Sequence, residues 1–193
     1  MTVGHAAARR QMKSLVVRGP LEHPRPVTVR IDGPHDSIAG LDELGPLYQE
    51  LHAAHLNVSS YRPLVRDATT SWARRRALYA EALRDRGASY FVARGPAGDA
   101  LGYAFVLPTI RPDDTFETRG VLELVSLVVA AERRGQGVGR QLVAAVEDHA
   151  RSIGADTVKV AVMAGNDRAK GLYIGLGYQP GEVVLLKRVD ESR

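Results

Sequence analysis

The chain has 193 residues, 45% of them hydrophobic and 25% charged, which is typical of one soluble globular domain. It contains no cysteine, which excludes disulfides, thiolate metal sites and cysteine-linked covalent intermediates. Its net charge of +4 comes mainly from arginines spread along the chain, a distribution that does not favour nucleic-acid binding. No apolar stretch approaches the ~20 residues of a membrane span, and the N-terminal region lacks the apolar core of a secretory signal. We therefore expect a cytoplasmic protein without a membrane anchor.

The first half of the chain predicts a short strand and two helices after a flexible extension. Residues 1–26 show little periodicity and contain several prolines, so we expect the folded domain to span 27–193. Residues 27–31 alternate as a strand does, and the sequence GPHDS is predicted to end that strand. Apolar residues at helical spacing predict a helix over 37–56, broken at Gly45 and Pro46, and a second helix over 71–86 that ends at Gly87.

The second half predicts mostly strands. Residues 89–94 and 100–110 flank a Gly-Pro-Asp turn and predict a hairpin, and the long apolar run 119–129 predicts a central strand. A glycine-rich loop and a helix come next, followed by a strand over 156–163. A short helix then begins at Asn166 and stops at Gly177, and a last strand is predicted over 181–189. The buried face of the first of these helices is predicted to carry Val138, Leu142, Val146, His149 and Ile153.

This order, β-α-α-β-β-β-α-β-α-β, predicts a single α/β domain. We expect a mixed central β-sheet of about six or seven strands, flanked by about four helices.

The glycine loop lies between a strand and a helix, where it predicts a phosphate site. Gly135, Gly137 and Gly139 alternate there beside Arg134 and Arg140. Backbone amides without β-carbons can approach an anion closely, and the start of a helix carries partial positive charge. A Walker A loop would need Lys followed by Ser or Thr, and a dinucleotide fingerprint would need glycine at position 140. Neither requirement is met.

Two motifs resemble the GCN5-related N-acetyltransferase (GNAT) superfamily over about residues 27–189. Arg134, Gly137 and Gly139 match its Arg-x-x-Gly-x-Gly pyrophosphate loop. A downstream segment is similar to the family's second motif through Asn166, Ala169, Tyr173, Gly177 and Tyr178. The resemblance implies a single GNAT-like domain, acetyl-CoA as co-substrate without a metal, and transfer of the acetyl group to an amine. The acceptor, which is a small molecule, an amino acid or a peptide, stays open because residues 37–86 carry no matching signature.

The resemblance also implies the residues that bind the co-substrate. The backbone of Leu127, Val128 and Val129 is expected to pair with the pantetheine arm. Their strand is expected to splay away from the strand at 157–163 to make room for it. Asn166 either caps its helix, contacts the pantetheine, or does both. The remaining expected binding residues are Arg134, Gly135, Gln136, Gly137, Val138, Gly139, Arg140, Ala169 and Tyr173.

Two residues are the candidates for proton transfer. With no cysteine and no G-x-S-x-G motif, direct transfer in a ternary complex is the remaining route. The resemblance places Tyr173 beside the coenzyme sulfur as an acid. Strict alternation would put Glu123 on the same side as Val125, Leu127 and Val129, a position that suits a base acting directly or through water, or a group that only orients the acceptor.

Alternative interpretations remain. The chain could be a coenzyme-A-binding module without turnover, or a nucleic-acid-binding protein in which the glycine loop is incidental. His52 and His55 lack a further ligand nearby, so no metal is predicted. Trp72 with the arginines at 74–76 either shapes an acceptor site or forms a solvated helix face. The expected partner is an amine acceptor, and the protein is expected to be a monomer or a homodimer.

Overall fold

A mixed five-stranded sheet in the order β1-β2-β3-β4-β5 forms the centre of the described part of the chain. The structure is a computed structural model that describes residues 29–58, 65–109 and 117–187. The predicted extension 1–26 and most of the predicted loop after residue 110 lie outside these ranges. The strands are β1 (Arg30–His35), β2 (Ser89–Arg94), β3 (Ala100–Thr109), β4 (Val121–Val129) and β5 (Thr157–Val160).

Helices connect the strands and cover both faces of the sheet. A 3-10 helix over Ile38–Leu44 precedes α1, and a 3-10 turn over Ala131–Arg133 precedes α3. The α-helices in the described ranges are α1 (Gly45–Val58), α2 (Ala68–Asp85), α3 (Val138–Ser152) and α4 (Asp167–Ile174). None of them combines the length and hydropathy needed to cross a bilayer. The predicted break at Gly45, the stop at Gly87 and the hairpin of β2 and β3 are confirmed.

Each face of the sheet has its own apolar core. The 3-10 helix, α1 and α2 cover the first face, where Leu44, Leu47 and Tyr79 are buried against Val92. On the second face, α3 and α4 contribute Leu142, Val146 and Tyr173, which are buried around Phe91 on β2. Because alternate residues of a strand point to opposite sides, Phe91 and Val92 serve the two cores in turn.

The first strand runs further than predicted. The prediction that GPHDS ends it was wrong, because β1 continues through Gly33 and Pro34 to His35. Its pairing with β2 shifts between Asp32 and His35. Gly33 has a φ of 133°, and a β-carbon on it would lie 2.8 Å from the carbonyl oxygen of Tyr90. A bulge in a strand at the edge of the sheet tolerates glycine and proline, because the missing N–H is not needed by a further strand.

The predicted final strand is not formed over the described residues 181–187. Its apolar side chains are exposed instead, with Val183 at 86%, Val184 at 74% and Leu185 at 89%. The prediction of six or seven strands is therefore not confirmed for the described residues, and β5 is also shorter than the predicted 156–163. On α3, Val138, Leu142 and Val146 are buried as predicted, but Ile153 lies past the helix end and is 46% exposed.

Candidate active site

The sheet opens between β4 and β5. The two strands run parallel and pair only where Val121–Leu124 faces Thr157–Val160. From Val125 to Val129, β4 has no neighbouring strand on the β5 side among the described residues, while Ser126–Val129 remain paired with β3. This leaves a sheet edge of five residues whose end leads into the glycine loop. The predicted splay is therefore present at the predicted residues.

A bulge in β4 changes which side chains face which core. Phe105 pairs with Ser126 and Val106 pairs with Leu124, so Val125 is an extra residue in β4. Leu122 and Leu124 belong to the second core, which Leu127 and Val129 also contact. Val125 instead packs against the first core. Because Glu123 lies between Leu122 and Leu124, its side chain points to the first face. The prediction that Glu123 shares a side with Leu127 and Val129 was wrong, since strict alternation does not survive a bulge.

The glycine loop turns the chain tightly into α3 and leaves the helix start open. Gly135 and Gly137 have φ values of 80° and 86°, in the left-handed region that favours glycine. Gly137 is the N-cap of α3 and offers no capping side chain, and a β-carbon placed on it would meet no atom within 4 Å. The first N–H groups of a 15-residue helix therefore lack a side-chain partner, which suits an anion.

Gly139 serves a different purpose in the same loop. A β-carbon there would lie 3.5 Å from Leu172 on α4 and 3.7 Å from Val129 on β4. The small residue thus lets the start of α3 sit close to both the open strand and α4. Val138 beside it is buried, whereas Arg140 is exposed.

Arg134 is already engaged within the protein. Its Nε donates to the carbonyl oxygen of Val129 at 2.9 Å, and its Nη2 lies 3.1 Å from Glu50 Oε2 on α1. The same Glu50 oxygen accepts from the N–H of Ala131 at 2.7 Å. Glu50 therefore ties α1 to the end of β4, a role that sequence reasoning missed because the two residues are 84 positions apart.

Two polar atoms near the loop lack partners. Gln136 donates through Nε2 to the carbonyl of Glu132 at 2.8 Å. Its Oε1 and the Nε of Arg133 are buried without a hydrogen bond among the described residues. An N–H donor without a partner beside an open helix start adds to the fit for an anionic ligand.

The residues of the second motif form the caps at the two ends of α4. Asn166 accepts from the N–H of Ala169 at 3.1 Å, which confirms its N-cap role. At the other end, the N–H of Tyr178 donates to the carbonyl of Tyr173, and the N–H of Gly177 donates to that of Ile174, both at 3.0 Å. These two bonds form a Schellman motif, with Gly177 in the left-handed position at a φ of 93°. The turn brings the Tyr178 ring to 5.4 Å from the Tyr173 ring.

Tyr173 is held as a neutral phenol. The residue is 6% exposed and packs in the second core, which Leu127 and Val129 contact from β4. Burial raises the pKa of its phenol, so the hydroxyl keeps its proton at neutral pH. Its hydroxyl makes no hydrogen bond within the described residues. Tyr173 therefore lies in the core that Leu127 and Val129 of the open edge contact. Glu123 points to the opposite face and lies just before the opening, where β4 is still paired with β5 through Lys159.

The first face carries a polar and aromatic cluster between the helices and β4. Tyr79 donates to Ser126 Oγ at 2.6 Å, and its oxygen lies 3.5 Å from that of Tyr103. Trp72 packs against Tyr48 with ring centres 5.4 Å apart. Arg76 forms an ion pair with Asp42 at 2.6 Å, so this arginine is engaged within the protein.

The two histidines of α1 have ordinary structural surroundings. His52 is buried and donates through Nε2 to the carbonyl of Arg66 at 2.7 Å. Burial lowers the pKa of His55, and the charge of Arg75 lowers it further. Within the described ranges, no three His, Asp or Glu side chains are grouped as metal ligands would be.

Comparisons with known proteins agree with this geometry. Residues 50–178 match the sequence profile of the acetyltransferase (GNAT) family. The chain is 33% identical over 126 residues to the L-methionine sulfoximine/L-methionine sulfone acetyltransferase of Pseudomonas paraeruginosa. That match covers 62% of this chain and 70% of the relative.

Solved structures share the fold. A mutant of the BH1408 protein from Bacillus halodurans aligns with a TM-score of 0.68 and 19% identity, over 84% of this chain and 99% of that one. The aminoglycoside N-acetyltransferase AAC(6')-Iy in complex with CoA aligns with a TM-score of 0.61 and 20% identity, over 91% and 99% of the two chains. At these identities the likeness concerns the fold. The profile match over residues 50–178 shows that the chain belongs to the acetyltransferase (GNAT) family. It is an N-acetyltransferase with acetyl-CoA as its co-substrate.

Proposed function

We propose that the protein transfers the acetyl group of acetyl-CoA directly to the primary amine of a small acceptor within a ternary complex. One observation carries this proposal. The β5-side edge of β4 opens after Leu124, and the open edge runs into the uncapped start of α3 with Tyr173 beside it. A sheet edge, an anion-binding helix start and a neutral phenol are the three features that a pantetheine arm, a pyrophosphate and a leaving thiolate require.

Backbone groups would bind most of the donor. The open edge at Leu127, Val128 and Val129 would pair with the amides of the pantetheine arm, and the loop from Gly135 to Gly139 would hold the pyrophosphate. Gln136, Val138, Arg140, Asn166 and Ala169 border these positions and complete the proposed donor site. Arg134 would act mainly by holding the loop, because Glu50 already balances its charge. Binding through backbone amides lowers the cost of ordering the site, since these groups are already fixed by the fold.

Proton movements would be managed from the two faces of β4. The amine nitrogen forms a bond to the acetyl carbon while the bond from that carbon to sulfur breaks. Glu123 would accept the proton that the amine loses, directly or through water, and Tyr173 would give its proton to the leaving sulfur. Direct transfer needs no protein nucleophile, and positioning of the two substrates supplies much of the rate.

The relatives suggest where the search for an acceptor should begin. The Pseudomonas paraeruginosa relative is named for acting on L-methionine sulfoximine and L-methionine sulfone, which are α-amino acids. We therefore propose a small amine of the amino-acid type as the acceptor. The aminoglycoside enzyme is similar in fold only and does not extend this proposal.

The test is a binding titration followed by an assay of amine-dependent thiol release. Purified protein should bind acetyl-CoA and release free coenzyme A thiol only when a suitable amine is added. Absence of binding at millimolar acetyl-CoA would contradict the proposal. Tight binding without thiol release for any amine would instead favour a coenzyme-A-binding module without turnover.

A further inference from the structure

Arg75 is a half-buried cation in the cluster on the first face of the sheet. Its guanidinium carbon lies 5.7 Å from the ring centre of Tyr79 and 5.8 Å from that of Tyr48. The two rings belong to α2 and α1, so the arginine sits between the helices rather than on the outer side of α2. The aromatic faces offset part of the cost of removing its charge from water.

No carboxylate reaches Arg75 among the described residues. The groups that raise the pKa of its guanidinium against the effect of burial are the hydroxyls of Tyr79, Tyr48 and Tyr103. The next arginine along the helix, Arg76, has Asp42 as its partner, and the nearby His55 adds no negative charge. A half-buried guanidinium with only neutral neighbours retains unused donors and an unbalanced charge.

The cluster leads from Arg75 to the acceptor side of β4. Tyr79 lies one helical turn after Arg75 and donates to Ser126, which is buried on β4 next to the bulge. Glu123 points to the same face of the sheet. The candidate base and the unbalanced cation therefore belong to one face, opposite the core that contains Tyr173.

We propose that Arg75 binds the carboxylate of the acceptor, so that the acceptor is an amine that also carries an acid group, such as an α-amino acid. This inference rests on the proposed function. Arginine binds carboxylates through two parallel hydrogen bonds, and the rings of Tyr48 and Tyr79 hold the guanidinium in place for such a pair. The carboxylate would supply the balancing charge that no described residue supplies.

The experiment compares acids with their neutral analogues. L-methionine sulfone, L-methionine sulfoximine and the common α-amino acids are each assayed beside the corresponding primary carboxamide. The wild-type protein should prefer the acids. Arg75→Gln should raise KM for the acids about 10- to 100-fold, because a hydrogen-bonded ion pair is lost. KM for the carboxamides should not change. Arg75→Lys should recover part of the loss, because it keeps the charge.

Arg74→Gln is the matched control, since Arg74 is the preceding residue and is exposed. It should change neither class of acceptor. Equal use of acids and carboxamides by the wild type, or an equal loss for both in Arg75→Gln, would overturn the proposal. Continued transfer to neutral amines would then leave the proposed function intact, whereas absence of transfer to any amine would overturn that function itself.

Discussion

The proposed donor side and the proposed acceptor side of this molecule are built in different ways. On the proposed donor side, the loop before α3 and the two ends of α4 are shaped mainly by left-handed glycines and by hydrogen bonds between residues close in sequence. On the acceptor side, the key contacts join distant side chains, such as Tyr79 with Ser126, 47 positions apart. The difference suggests that donor binding depends on backbone conformation, whereas the choice of acceptor depends on a few side chains that can change without disturbing it.

The largest effect should come from removing one hydroxyl on the donor side. Tyr173→Phe should lower kcat at least ~100-fold, the usual contribution of a positioned acid, while the Kd for acetyl-CoA stays nearly constant. Tyr178→Phe is the control, since it removes a hydroxyl from the neighbouring ring, whose centre lies 5.4 Å from that of Tyr173. Equal losses in the two variants would mean that Tyr173 acts through packing.

A change on the opposite face should affect the acceptor rather than the donor. Glu123→Gln should lower kcat/KM for the amine by about 10- to 100-fold because the proton acceptor is lost. The affinity for acetyl-CoA should not change. Glu132→Gln, on the exposed turn before the glycine loop, should have no effect on either quantity. An active Glu123→Gln variant would show that Glu123 is not the base.

Backbone conformation at the loop can be tested with two glycines. Gly137→Ala places a side chain in a left-handed position and a β-carbon at the open helix start, and should weaken acetyl-CoA binding about tenfold. Gly98→Ala is matched, because Gly98 has a φ of 83° and also has free space around it. It should lower Tm similarly but leave the Kd unchanged. A similar Kd for both variants would contradict a specific role of the loop.

The smallest effect should separate the two roles of Asn166. Asn166→Ala should cost ~1 kcal/mol of folding stability through the lost N-cap, or about 2–4 °C in Tm. Asp67→Ala removes the corresponding cap of α2, where Asp67 accepts from the N–H of Thr70 at 2.9 Å, and should lower Tm comparably. If KM for acetyl-CoA rises only in Asn166→Ala, Asn166 also contacts the pantetheine arm; an unchanged KM would restrict it to capping.

Much of the donor side could be predicted because its signals are local. Gly137 and Gly177 adopt left-handed conformations, Asn166 caps a helix, and each of these features depends on a few neighbouring residues. The apolar run of β4 was equally clear, but its bulge was not, because Val125 does not differ from the valines around it. The face of Glu123 was therefore predicted wrongly although its strand was right.

The features that could not be predicted depend on contacts between residues distant in sequence, which no local pattern encodes. Glu50 reaches Arg134 across 84 positions, and the segment 181–187 has strand propensity but forms no strand in the described chain. The triplet of arginines on α2 separates into an exposed Arg74, a half-buried Arg75 and an Arg76 paired with Asp42. Which of these faces an acceptor is decided by how α1 and α2 pack, and the sequence alone left that open.

The central claim is that the open edge of β4 and the start of α3 hold the donor. Amide hydrogen exchange with and without acetyl-CoA tests it most directly. The account predicts that acetyl-CoA slows exchange at residues 127–129, 135–140 and 169–173, with little change on α2. Protection centred on α1 and α2, or no protection at the glycine loop under saturating acetyl-CoA, would contradict it.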